Sequence, residues 1–181
     1  RMKVRAIMDA NKPSSQTPAW WMYVLIGRRP KRTLVRLVIL VMASVVIFGF
    51  VLIPIRIDGI SMEPTYRDGR VNFVNRLAYA WNKPKRGDVV AIKTTGMSIM
   101  FMKRIVGLPG ETISIVKGIV LVNGQPLDEP YVVVKREPWN ERPVRLGPDE
   151  YLVIGDNRAT DRVSHYHGAV NGRKFAGKVL W

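Results

Sequence analysis

Ser61 stands in the segment Gly59-Ile60-Ser61-Met62-Glu63-Pro64, six residues beyond an uncharged apolar run, and Lys103 lies in a second apolar segment downstream. A serine hydroxyl is a weak nucleophile until a nearby base takes its proton. A lysine amine can be that base once burial strips its solvation and lowers its pKa. At its reference pKa of about 10.4 it is protonated at neutral pH and accepts nothing. Ile99, Met100, Phe101, Met102, Ile105 and Val106 surround Lys103 in sequence. On a strand Lys103 shares one face with Phe101 and Ile105. Each unit of pKa depression costs about 1.4 kcal/mol, which the fold must supply. Taken singly, Ser61 also reads as a turn serine between Gly59 and Pro64, and Lys103 as an edge-strand lysine with its amine in water. His165 and His167, the two histidines, lie near the C-terminus. Two residues apart and without a third ligand, they read as surface groups, and no metal site is expected. No Gly-x-Ser-x-Gly elbow supports a Ser-His mechanism.

The element preceding Ser61 is the apolar run. Leu37 to Ile55 contains no charged residue, and Leu34-Val35 extends it beyond Arg36. At about 1.5 Å per residue, nineteen residues reach roughly 28 Å, near the hydrocarbon thickness of a bilayer. A basic flank before an apolar stretch also suits a cleaved secretory signal. Ile55-Arg56-Ile57-Asp58, however, offers no small-x-small cleavage pattern. The expectation is an uncleaved single-span anchor over 34–55, a basic cytoplasmic tail over 1–33, and an extracytoplasmic domain over 56–181. Ala19 to Ile26, with Trp20, Trp21 and Tyr23, is too short to span and suits either a headgroup-level patch or a local aromatic cluster.

Charge agrees with this layout. The formal net charge is +15, yet residues 1–36 hold nine basic side chains against Asp9 alone. The Lys/Arg bias puts that end in the cytoplasm, where anionic headgroups explain the cluster as well as phosphates do. No nucleic-acid-reading motif is present, so nucleic acid is not expected as a partner. Cysteine is absent, which excludes disulfides and thiolate metal sites.

Beyond residue 56 the pattern is mainly β. Branched runs alternate with turn signals at Val71–Val74, Asp88–Ile92, Ile99–Val106, Thr112–Val116, Ile119–Val122, Val132–Val134 and Tyr151–Ile154. Asn123-Gly124 signals a two-residue hairpin, and Pro109-Gly110 and Gly147-Pro148 mark turns. Leu77 to Trp81 suits one helical turn. No long amphipathic helical period follows residue 60, which argues against a βαβ architecture. The fold expected is an antiparallel coiled β-sheet domain, with a hairpin-containing subregion over about 111–149, behind one transmembrane helix.

Four segments in order now carry a resemblance: Ser61-Met62-Glu63-Pro64-Thr65, Arg86-Gly87-Asp88-Val89-Val90, Lys103-Arg104-Ile105-Val106-Gly107-Leu108-Pro109-Gly110-Glu111 and Gly155-Asp156-Asn157-Arg158. Together, with the anchor upstream, they resemble the bacterial type I signal peptidase family over roughly residues 35–181. The resemblance implies Ser61 as acylating nucleophile and Lys103 as general base, with no cofactor. Gly59 permits backbone conformations that could aim the Ser61 amide at an oxyanion. In part of the family a serine two residues before the nucleophile supplies a further donor; here that position is Gly59. Asp156 and Asn157 read as scaffold residues in a turn approaching Lys103.

Further along, the family pattern expects serine at 161, aspartate at 163, serine at 164 and arginine at 165. This chain has Asp161, Val163, Ser164 and His165. Two departures remove a salt bridge. The third places a carboxylate where a hydroxyl should contact the amine, and an ionised carboxylate there would raise the lysine pKa. Either Asp161 points away while Thr160 supplies the hydroxyl, or Asp161 pairs with and orients Lys103 at some catalytic cost.

The resemblance implies removal of signal peptides from exported preproteins at the bacterial cytoplasmic (inner) membrane, with small side chains selected at positions one and three before the scissile bond. Ile60, Met62, Ile99, Met100, Phe101 and Met102 can line an apolar groove to which an extended substrate adds as a strand, although core packing explains them too. At no more than about 3.5 Å per residue, Ser61 lies within roughly 20 Å of chain of the anchor's end. A narrower precursor-processing Ser/Lys protease, or a membrane-anchored binding protein of the same fold, are the other readings. Oligomeric state is open.

Overall fold

The structure, a computed structural model, describes residues 29–93, 100–133, 139–162 and 166–180. The Ala19–Ile26 segment, Ile99 and positions 163–165 lie outside them. Contacts divide the chain into two units, Arg1–Ser44 and Val45–Trp181.

The first unit contains most of helix α1 (Pro30–Val46), none of whose residues is buried. Pro30 suits the first helical position, where its missing N–H is no loss. A helix apolar on every side needs a core or a membrane around it. With the π-helical turn Ile47–Val51 the helical stretch runs 22 residues, Pro30–Val51, long and apolar enough to cross a membrane. The apolar run expected to be helical through Ile55 is divided: Leu52–Arg56 is strand β1. Ile53, Ile55 and Ile57 alternate there with Pro54 and Arg56, a two-residue period that favours a pleat. β1 is an edge strand, where Pro54 breaks no ladder.

The second unit is built from antiparallel sheets. Its strands are β1, β2 (Val71–Asn75), β3 (Val89–Lys93), β4 (Met100–Gly107), β5 (Thr112–Val116), β6 (Ile119–Val122), β7 (Gln125–Pro126), β8 (Glu141–Arg145), β9 (Glu150–Ile154), β10 (Tyr166–Asn171) and β11 (Phe175–Leu180). Among the described residues, seven form one sheet in the order β1-β2-β11-β3-β4-β9-β10, and four form another in the order β7-β6-β5-β8. Every neighbouring pair is antiparallel. Asn123 (φ 50°) and Gly124 (φ 82°) both adopt left-handed conformations, as a two-residue hairpin turn requires, and so do Lys117 (φ 50°) and Gly118 (φ 78°) between β5 and β6.

Two expected elements differ. Val132 and Val133 form no strand: Val132 N–H bonds the Glu129 carbonyl at 3.0 Å and Val133 N–H bonds Tyr131 at 3.2 Å, so local turns win after Pro130. Leu77–Trp81 forms successive turns, started by the Asn75 side chain accepting from Leu77 N–H at 2.9 Å, and does not close a helix.

Three apolar clusters anchor the unit. Ile57, Met62, Tyr66, Val74, Val89 and Val179 pack beneath the loop carrying Ser61. Val106, Ile113, Val120, Leu146 and Leu152 join the small sheet to the large one. Val90, Ile105, Tyr151 and Val153 fill the third.

Candidate active site

The β1–β2 ladder continues outward into the Ser61 loop. Ile57 N–H bonds the Arg70 carbonyl at 2.8 Å, and Gly69 N–H bonds that of Ile57 at 2.9 Å. Asp68 then accepts from both Gly59 and Gly69 N–H at 2.9 Å. Gly59 adopts φ +105°, a conformation side chains disfavour. Its N–H is held by Asp68, so Gly59 shapes the loop and donates elsewhere to nothing. Met62 and Tyr66 bury the base of the loop, and Tyr66 N–H bonds the Met62 carbonyl at 2.9 Å.

Lys103 comes from β4, directly opposite Val90 on β3, and is 3% exposed. Its Nζ lies 2.7 Å from Ser61 Oγ, across 42 residues of sequence. Burial is the dominant influence on the amine and lowers its pKa to about 8; the carboxylate of Asp156 pulls the other way. Asp156, fully buried, spends its charge on the neighbouring β4 residue. Arg104 Nε and Nη2 donate to its two oxygens at 2.8 and 2.6 Å, a bidentate pairing. Arg104 also donates to the Gly87 carbonyl at 2.8 Å.

Asn157 closes the loop from the other side. Its N–H bonds the Ser61 carbonyl and its Nδ2 the Ile60 carbonyl, both at 3.0 Å. Among the described residues the Ser61 N–H donates to no protein acceptor. Thr160 Oγ1 donates to the Asn157 carbonyl at 3.0 Å, and Asp161 is exposed. The carboxylate of Asp156 reaches Lys103 through its field.

A groove of about 510 Å³ opens onto this pair. Ile53, Ile55 and Ile57 come from one side and Met100, Phe101, Met102 and Lys103 from the other, with Ser61 and Met62 between. Ile60, 52% exposed, is not part of the lining. Sequence reasoning missed the β1 wall, although the Ile-Pro-Ile-Arg-Ile alternation carried the signal. It also left Arg104 out of the site, though the residue sits beside Lys103 in the same segment.

The remaining shared segments prove to be supports. Arg86 Nη2 meets Glu111 Oε1 at 2.5 Å, and the guanidinium also donates to the Val106 carbonyl. Glu111 Oε2 accepts from Leu108 N–H at 2.8 Å. Asp88 gathers Tyr79, Lys178 and the Lys85 N–H. The Arg86 and Glu111 bonds fix the C-terminal end of β4.

A buried amine within hydrogen-bond reach of a serine hydroxyl, beside an open groove, can accept that proton and support acyl transfer. The sequence profile described as "Signal peptidase, peptidase S26" matches residues 31–181. A probable signal peptidase I-2 of Synechocystis sp. is 36% identical over 126 residues, covering 66% of this chain and 57% of that protein. Signal peptidase I of Leptolyngbya laminosa is 35% identical over 129 residues, covering 66% and 63%. Signal peptidase I of Bacillus licheniformis is 30% identical over 151 residues, covering 78% and 81%. The matched region thus spans about six-tenths of the first two relatives. A crystal structure of a signal peptidase I from Enterococcus faecalis, 26% identical, superposes with a TM-score of 0.45 over 55% of this chain and 98% of that one. With the profile running from the apolar helix to the last strand, this chain belongs to the signal peptidase family.

Proposed function

We propose that this protein is a membrane-anchored serine endopeptidase that removes signal peptides from exported preproteins through an acyl-enzyme. The observation that carries the reading is the 2.7 Å separation between Ser61 Oγ and a lysine amine 3% exposed to solvent. Neutral Lys103 takes the hydroxyl proton as Ser61 Oγ attacks the carbonyl carbon of the scissile bond. The Ser61 N–H stabilises the oxyanion. Collapse breaks the C–N bond, and the ammonium of Lys103 returns its proton to the leaving amine. Water, deprotonated by the same amine, then attacks the ester and restores Ser61.

The substrate enters as an extended strand between β1 and the start of β4, and shallow apolar pockets select small side chains near the cleavage point. Helix Pro30–Val51 crosses the cytoplasmic membrane once, with the basic N-terminal tail inside and the protease domain outside. Cleavage of a precursor by the purified chain tests the chemistry. Ser61→Ala and Lys103→Ala should each lose at least about a thousandfold in kcat, as nucleophile and base act as one unit; equal turnover by the wild type and both variants would overturn the assignment.

A further inference from the structure

We infer that Glu129, through a buried ion pair with Arg158, is a positioning residue that holds the Gly155–Arg158 turn, and with it both Asn157 clamps on the Ser61 loop, in register with Lys103. The inference rests on the Ser61/Lys103 reading above and goes beyond it. Glu129 lies in neither sheet, in the turn that follows β7. Arg158 is 4% exposed and the Glu129 side chain 10%. Arg158 Nη2 and Nη1 meet Glu129 Oε1 and Oε2 at 2.5 and 3.3 Å, while its Nε donates to the Gly155 carbonyl at 3.0 Å. One guanidinium therefore ties the beginning of the turn to an element outside it.

The same carboxylate reaches the other support. Tyr131 OH donates to Glu129 Oε1 at 3.0 Å, and the Tyr131 ring carries the Arg104 guanidinium 4.2 Å from its centre. Arg104 in turn grips Asp156. Glu129 thus braces Asp156 and Asn157 from both sides, directly through Arg158 and indirectly through Tyr131 and Arg104. The need for such a brace is visible in the sequence. Where the family pattern carries an aspartate and an arginine after the turn, this chain has Val163 and His165, and a valine carries no charge.

The consequence of removing the brace follows from its surroundings. A cavity of about 290 Å³ adjoins Glu129 and Arg158, lined by Leu127, Val132 and Trp139 together with the charged Lys117 and Asp128. A guanidinium left without its carboxylate in that setting is strongly disfavoured. It swings through the cavity toward water and releases Gly155, and small displacements of a reacting group are expensive in rate.

The test uses the full chain in detergent micelles with a precursor substrate, measuring kcat, KM and Tm. Glu129→Gln should lower kcat at least about tenfold while KM stays within about twofold. The double variant Glu129→Met/Arg158→Met removes both charges, so its Tm should recover, yet its kcat should stay low because Gly155 remains unheld. A kcat that returns together with Tm would show a merely structural pair and overturn the inference, as would wild-type kcat in Glu129→Gln. Should Glu129→Gln fail to fold, the double variant decides alone. Ser61→Ala is run in parallel: turnover surviving there overturns the dyad reading, and the inference with it, by a separate result.

Discussion

Lys103 illustrates how a side chain's charge state follows from what surrounds it. Burial alone depresses its pKa to about 8, against the opposing field of Asp156, whose charge Arg104 largely absorbs. Because the proposed base must be neutral, kcat/KM should climb about tenfold per pH unit below pH 8 and level off above it. A profile flat from pH 6 to 9 would contradict this. The same burial destabilises the fold. Below pH 8 the amine is charged in both folded and unfolded chains, and burying that charge costs on the order of 3 kcal/mol. Between pH 8 and 10.5 the folded amine is already neutral, and the penalty fades. Lys103→Met should therefore be inactive yet melt several degrees higher at pH 7, with the gain shrinking toward pH 10.5. Thermal unfolding across that range checks both magnitude and sign.

Strand geometry decides where that lysine stands. β4 holds Lys103 and Arg104 in adjacent positions, fixed opposite Val90 and Val89 by the ladder with β3. β11 packs between β3 and β2 and carries the Ser61 hairpin into the same sheet. That junction is tight at Gly177, where a Cβ would fall 2.2 Å from the Asn75 carbonyl oxygen on β2. Gly177→Ala must push β2 outward, costing roughly 1–3 kcal/mol. It should also reduce turnover by moving the β1–β2 support of Ser61 relative to β4. Parallel melting and cleavage assays would show both effects; an unchanged Tm would mean the ladder relaxes freely. The strands hardest to read were those lacking an apolar period. β8 (Glu-Arg-Pro-Val-Arg) is mostly exposed and charged, and β11 contains Gly177 and Lys178. Their ladders form because neighbouring strands supply partners.

At the level of the whole chain, the proposed arrangement puts opposite ends of the protein on opposite sides of a bilayer. The absence of cysteine makes this easy to test. A single cysteine in place of exposed Lys85 should react with a membrane-impermeant maleimide in intact cells, and one in place of Lys12 only after lysis. The reverse pattern would invert the topology. Truncation supplies a second check. A chain beginning at Leu52 keeps β1 and should still cut a soluble precursor peptide, within about tenfold of the full chain's kcat. One beginning at Ile57 lacks the wall formed by Ile53 and Ile55 and should not.

The chain's own residue order was enough to mark an apolar span, a β-rich domain and the Asn123-Gly124 hairpin turn, because these signals are local, while Ser61 and Lys103 stood out through the four segments that resemble signal peptidases. Tertiary structure alone decided that the apolar run yields its last residues to β1, that Asp156, gripped by Arg104, acts on Lys103, and that Glu129 meets both Arg158 and Tyr131. Each of these depends on groups brought together across tens of residues. Burial and pairing of charges are properties of the packed chain, and no periodicity in sequence encodes which carboxylate meets which guanidinium.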